Sequence, residues 1–135
     1  MKEYLLHYKA NYSKVEVRTW DNIIVRFPGA AFYHLCYEDN DRDGSKDTFS
    51  WMRSERLDWI KKVLQDDTAT LFQGWNNKIK QYDPTRRVVI AYWDYIVVIK
   101  LFSADKAEIV THFVADAITL AKIKRSPPWK GFGIL

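Results

Sequence analysis

Cysteine occurs once, at Cys36, so the chain can close no intrachain disulfide and can build no zinc site from paired cysteines. This pattern fits an intracellular, cytoplasmic protein in which Cys36 is a small buried hydrophobe. No run reaches the roughly 18 consecutive apolar residues of a membrane helix. The opening MKEYLLHYK has no signal-peptide core, so no membrane partner is expected. Walker, GxGxxG, HExxH, GxSxG and CxxC motifs are also missing, which weighs against nucleotide hydrolysis, zinc proteolysis and the common hydrolase schemes. There is no internal repeat, linker or low-complexity segment.

What is present suits one folded domain spanning residues 1–135. Hydrophobic residues make up 47% and charged residues 28%, a balance that argues against disorder. Aromatic residues reach 16%, more than one small core requires, so some rings are expected to face a ligand or partner. The net charge of +4 is compatible with a polyanion such as RNA.

The segment Phe49–Gln65, FSWMRSERLDWIKKVLQ, carries the clearest helical period. Ser50 or Ser54 can cap it, and Met52, Leu57, Ile60 and Leu64 form an apolar stripe that Trp59 and Val63 widen. Upstream, Lys14–Phe27 alternates with period two around Asp21 and Asn22 and predicts an N-terminal hairpin within residues 1–30. Ala31–Tyr37 is expected as a third short extended run. Downstream, Thr68–Gln73 and Asn77–Tyr82 predict two short strands turning at Gly74, with a further turn at Asp83, Pro84 and Thr85. Arg87–Trp93, Asp94–Phe102 and Ala107–Val114 then predict a β-meander. Asp116 should cap a short helix to about Lys124, with Ile118, Leu120 and Ile123 inward, before Pro127 and Pro128 stop it. The expected fold is α+β, an antiparallel meander packed by a central helix.

Between these elements, DNDRDGSKD places Asp39, Asp41, Asp43 and Gly44 like the opening of a calcium loop. Lys46 and Ser50 stand where that loop needs an apolar residue and a bidentate Glu, so a solvated polar loop is the preferred reading. No metal or cofactor is expected. The residues left for chemistry are His34, Arg53, Glu55, Arg56, Thr111, His112, Asp116 and Lys122. Metal-free RNA cleavage draws on this menu: an imidazole or carboxylate moves protons while guanidinium or ammonium groups hold the charged phosphate. Arg53 and Arg56 in the first helical turns work against the helix dipole unless an anion is the ligand, or Glu55 and Asp58 neutralise them. Trp51, Trp59 and Trp75 are expected to anchor the core, with one of them able to stack a base.

The string Arg53-Ser54-Glu55-Arg56-Leu57-Asp58-Trp59-Ile60, with His34-Leu35 upstream and Val110-Thr111-His112-Phe113 downstream, resembles the phage-type barnase, EndoU, colicin and RelE-like nucleases over about residues 31–129. The resemblance implies a helix packed on a four-stranded antiparallel sheet and a metal-independent ribonuclease. It leaves residues 1–30 as an extension and 130–135 as a tail. It implies His34 as acid–base, Arg53 and Arg56 as phosphate binders, Thr111 on a phosphate oxygen, and Lys122 as a late basic contact. Glu55 and Trp59 complete the candidate substrate contacts, and His112 leaves open which imidazole acts. RNA is the implied partner, with an inhibitor or antitoxin-like protein beside it; a catalytically silent RNA-binding or protein-interaction module is the rival reading.

Overall fold

A computed structural model describes residues 2–38, 48–76 and 78–131. The calcium-like positions Asp39, Asp41 and Asp43 fall outside the described residues. The fold is α+β, as the patterning implies. Its main sheet has six strands in the order β1-β2-β8-β7-β6-β5, where β1 is Val17–Arg18, β2 Ile24–Arg26, β5 Thr70–Asn76, β6 Gln81–Tyr92, β7 Tyr95–Ser103 and β8 Lys106–Val114. Strands β5 to β8 form the antiparallel meander, and β2 joins its edge parallel to β8. A separate two-strand ribbon pairs β3, Tyr37–Glu38, with β4, Thr48–Phe49. Among the described residues no helix is long and apolar enough to cross a membrane.

Four helices lie on one face of this sheet: α1 (Lys2–Tyr8, continued as a π-turn through Lys9–Ser13), α2 (Ala31–Cys36), α3 (Trp51–Glu55) and α4 (Leu57–Leu64). Their inward residues, among them Tyr8, Tyr12, Phe32, Leu35, Ile60 and Leu64, form one core with Val97, Ile99 and Leu101 of β7. The first thirty residues are therefore more than a hairpin extension. Tyr8 and Tyr12 lie one turn apart and stack at 5.9 Å, and their hydroxyls donate to the carbonyls of Pro28 (2.6 Å) and Leu57 (2.9 Å). Both rings are thus buried with their polar atoms satisfied, which avoids the cost of an orphaned hydroxyl.

Several sequence expectations change, among them the core role of Trp51, Trp59 and Trp75, all three of which are exposed. The run Ala31–Cys36 is a helix, because Phe32, Leu35 and Cys36 recur at helical spacing and all three enter the core. The central helix is capped by Ser50, whose Oγ accepts from Arg53 N at 3.1 Å, but it breaks at Arg56, where φ is −96° and ψ is 7°. The break re-aims α4 so that Leu57, Ile60, Val63 and Leu64 are all buried while Trp59 stays 44% exposed. Gly74 does not turn the chain: β5 runs through it, and the reversal comes after Asn76. Nor do Asp83 and Pro84 interrupt β6, which carries them in a bulge, since Gln73 pairs with Val88 and Gly74 with Asp83.

The second face of the sheet carries α5, Ala117–Lys124, capped as expected by Asp116, whose carboxylate accepts from Thr119 N at 2.7 Å. Leu120 and Ile123 pack on Ala91, Ile96 and Val98, whereas Ile118 points to solvent at 72% exposure. The following chain covers the free edge of β5: Gln73 N donates to Pro127 O and Trp129 N to Leu71 O. Ile60→Ala is expected to cost about 2 to 5 kcal/mol in urea unfolding. Ile118→Ser should stay within about 0.5 kcal/mol of the unsubstituted protein, because it removes no core contact.

Candidate functional site

Strand alternation decides which of the expected site residues can meet. Thr111 and His112 are consecutive on β8, so their side chains leave opposite faces of the sheet. His112 enters the helical core at 1% exposure. The Tyr95 hydroxyl donates to its Nδ1 at 2.8 Å, and its Nε2–H donates to the Leu35 carbonyl at 2.7 Å. Burial pushes the imidazole down to about 4 against the pull of the Leu35 bond, and the Arg53 and Arg56 guanidiniums act in the same direction as burial. His112 is thus a neutral, doubly bonded strut between β8 and α2 rather than an exposed acid–base group.

Arg53 and Arg56 belong to this helical side, half-buried at the junction of α3 and α4. The Arg56 guanidinium stands 5.3 Å from the Trp59 ring centroid, and Trp59 in turn meets Tyr95 edge-on at 5.3 Å. Trp59 therefore serves this cation and the buried tyrosine. Glu55 opens on a hollow shared with Glu3, His7 and Asp58, an acidic rim unsuited to RNA phosphates. His34 is carried by α2, the helix whose Phe32, Leu35 and Cys36 pack into the same core. Hence Arg53 and Arg56 do not share a cleft with Thr111, and the His34 side chain lies outside the described ones. Cys36 is fully buried, and burial raises its thiol pKa, in keeping with a packing role.

The other face presents a different chemistry. Between α5 and strands β5, β6 and β8 lies a groove of about 710 Å³, within the size range of ligand sites. Thr111 and Lys122, two of the expected contacts, line it together. The strands supply the rest: Gln73 and Trp75 from β5, Tyr82 and Arg87 from β6, and Thr111 and Phe113 from β8. Thr119, Lys122, Arg125 and Ser126 close it from the helix side. Three cations, three aromatic rings and several hydroxyl or amide groups thus surround one concavity.

Arg87 is the member that the local backbone is built to accommodate. The β6 bulge brings it alongside Gly74, and a Cβ on Gly74 would lie 2.4 Å from Arg87 Cγ and 2.8 Å from Cδ. Only glycine lets the arginine stem cross β5 there. Burial draws the guanidinium pKa below its ordinary value, while the Asp83 carboxylate pulls the other way. A half-buried cation in a concave site is favourable ground for an anion.

Arg87, Tyr82, Gln73 and Arg125 are not among the residues the sequence singles out, whereas Trp75 is, as a core anchor or base-stacking ring. The two-residue spacing Arg87–Val89 carries part of the signal, but reading Gly74 and Pro84 as turns hides it. No protein-family model matches the chain, and neither a curated protein nor a solved structure matches it significantly.

The His112 geometry makes a signed prediction. Its folded pKa near 4 lies below the ordinary 6.5, so its contribution is full above pH 6.5 and is lost as pH falls toward 4. The loss amounts to about 3 kcal/mol over that window, at about 1.4 kcal/mol per pH unit. Urea unfolding of His112→Gln across the same window should show a distinctly shallower pH dependence than the unsubstituted protein.

Proposed function

We propose that this chain is an RNA-binding domain whose working surface is the groove beneath α5, with phosphodiester oxygens held by Arg87, Lys122 and Arg125. The observation that carries the reading is Arg87, a partly desolvated guanidinium laid over Gly74 inside a concave surface that also holds Lys122. Guanidinium donors match phosphate oxygens in geometry as well as charge, and a low-dielectric wall strengthens the pairing. The net charge of +4 favours approach of a polyanion, and the exposed Lys122 and Arg125 sit where an incoming strand meets the groove first. Such a surface also suits capture by an acidic inhibitor protein.

Metal-independent cleavage is a second reading, favoured by one observation: Thr111 and Lys122, both implied by the nuclease resemblance, meet Arg87 in this groove. In that reaction the 2'-oxygen attacks the adjacent phosphorus, the bond to the 5'-oxygen breaks, and a 2',3'-cyclic phosphate and a 5'-hydroxyl result. Arg87 and Lys122 would hold the charge that builds on the phosphoryl oxygens. Among the described lining residues there is neither histidine nor carboxylate, so proton transfer falls to the Tyr82 phenol or to water.

Binding of a single-stranded RNA to the intact protein in EDTA tests both readings. Arg87→Ala and Lys122→Ala should each weaken affinity by about tenfold, and each should flatten the log–log salt slope by about 0.7. Gly74→Ala should weaken binding in the same direction by displacing the Arg87 stem. Affinity unchanged in both cation variants would overturn the RNA-binding reading. Cyclic-phosphate ends formed by the unsubstituted protein and not by Arg87→Ala would establish cleavage, whereas intact RNA would leave binding alone.

A further inference from the structure

The groove has an aromatic wall as well as cations, and the wall determines what form of RNA fits. Trp75 and Tyr82 are directly paired across β5 and β6, with ring centroids 5.4 Å apart and planes at 89°. The contact is edge to face, so the two rings stand at right angles. Trp75 is 47% exposed, unusual for so large a ring on a strand. Gln73 lines the same groove, and the Arg87 stem lies against Gly74, between them in sequence. One guanidinium, one amide and one exposed indole are thereby brought together over five positions of two strands.

We infer that the groove receives an unpaired nucleotide, with its phosphate on Arg87 and its base stacked against Trp75 while Gln73 faces the base edge. This rests on the RNA-binding reading above and adds the strand state of the ligand. Base stacking needs an open π-face, which a base inside a duplex does not offer. Helix α5 forms one wall of this concavity, whose volume of about 710 Å³ accommodates a splayed nucleotide. Gln73 also donates Nε2–H to the Pro128 carbonyl at 3.3 Å, which orients its amide and leaves the amide oxygen as the acceptor for a base. The segment after α5 that covers the β5 edge therefore also sets the orientation of a base-facing group.

Fluorescence anisotropy with a labelled single-stranded RNA of roughly eight nucleotides tests the inference. The same strand annealed to its complement and a version carrying abasic sites serve as comparators. The intact strand should bind about tenfold or more tightly than the duplex or the abasic strand. Trp75→Ala should lower affinity for the intact strand by about tenfold and leave the abasic strand unaffected, and Trp75→Phe should retain most of the affinity. Circular dichroism of each variant checks that the fold is kept. Equal binding of duplex and single strand, or a folded Trp75→Ala that binds the intact strand like the unsubstituted protein, would overturn the inference. If Trp75→Ala is silent but Arg87→Ala weakens binding, the inference fails and RNA binding stands; if Arg87→Ala is silent, the underlying reading fails.

Discussion

The two-residue alternation along β7 and β8 is the constraint from which the rest of the molecule follows. Tyr95, Val97, Ile99 and Leu101 face the helices, while Ile96 and Val98 face α5, so one sheet separates two unlike environments. On the helical side the demand is exclusion of water, and even the imidazole there is held neutral between the Tyr95 hydroxyl and the Leu35 carbonyl. On the other side α5 is a single short helix that covers only part of the sheet. The groove lies between this helix and the strands, walled on one side by Thr119, Lys122 and Ile123.

This separation gives one strand two unlike surroundings. His112 links β8 to α2 and shares its surroundings with Arg53 and Arg56, whose positive charge further discourages protonation of the ring. The adjacent Thr111 reaches the groove beside Arg87 and Lys122. A substitution at His112 alters the helical core, and one at Thr111 alters the groove, although the two residues are neighbours in sequence. The β6 bulge is the matching device on the other strand: it breaks the regular ladder so that Arg87 can lie over Gly74.

Much of the scaffold was legible in the sequence because strong periodicity survives tertiary packing. The meander strands, the Ser50 and Asp116 caps and the buried stripe of Leu57, Ile60 and Leu64 all follow from local patterning. The candidate site was only partly legible. Thr111 and Lys122 line one groove, but Arg53 and Arg56, grouped with them by the nuclease resemblance, lie on the other face, because motif spacing carries no information about which face of a sheet a helix covers. Ala31–Cys36 was misjudged because its aromatic and apolar residues suit a strand as well as a helix, and the i, i+3, i+4 burial of Phe32, Leu35 and Cys36 emerges only from packing. Gly74 and Pro84 punctuate turns more often than bulges, so Arg87 was read as the start of a strand rather than the floor of a groove.

The central claim is that RNA engages the α5 side of the sheet and not the helical side. Ultraviolet cross-linking of single-stranded RNA to the intact protein, with the linked peptides identified by mass spectrometry, tests it directly, since exposed aromatic rings stand on both sides. The account predicts cross-links at Trp75, Tyr82 or Phe113 in the groove. Cross-links confined to exposed rings of the helical side, such as Trp20, Tyr33, Trp51 or Trp59, would contradict it.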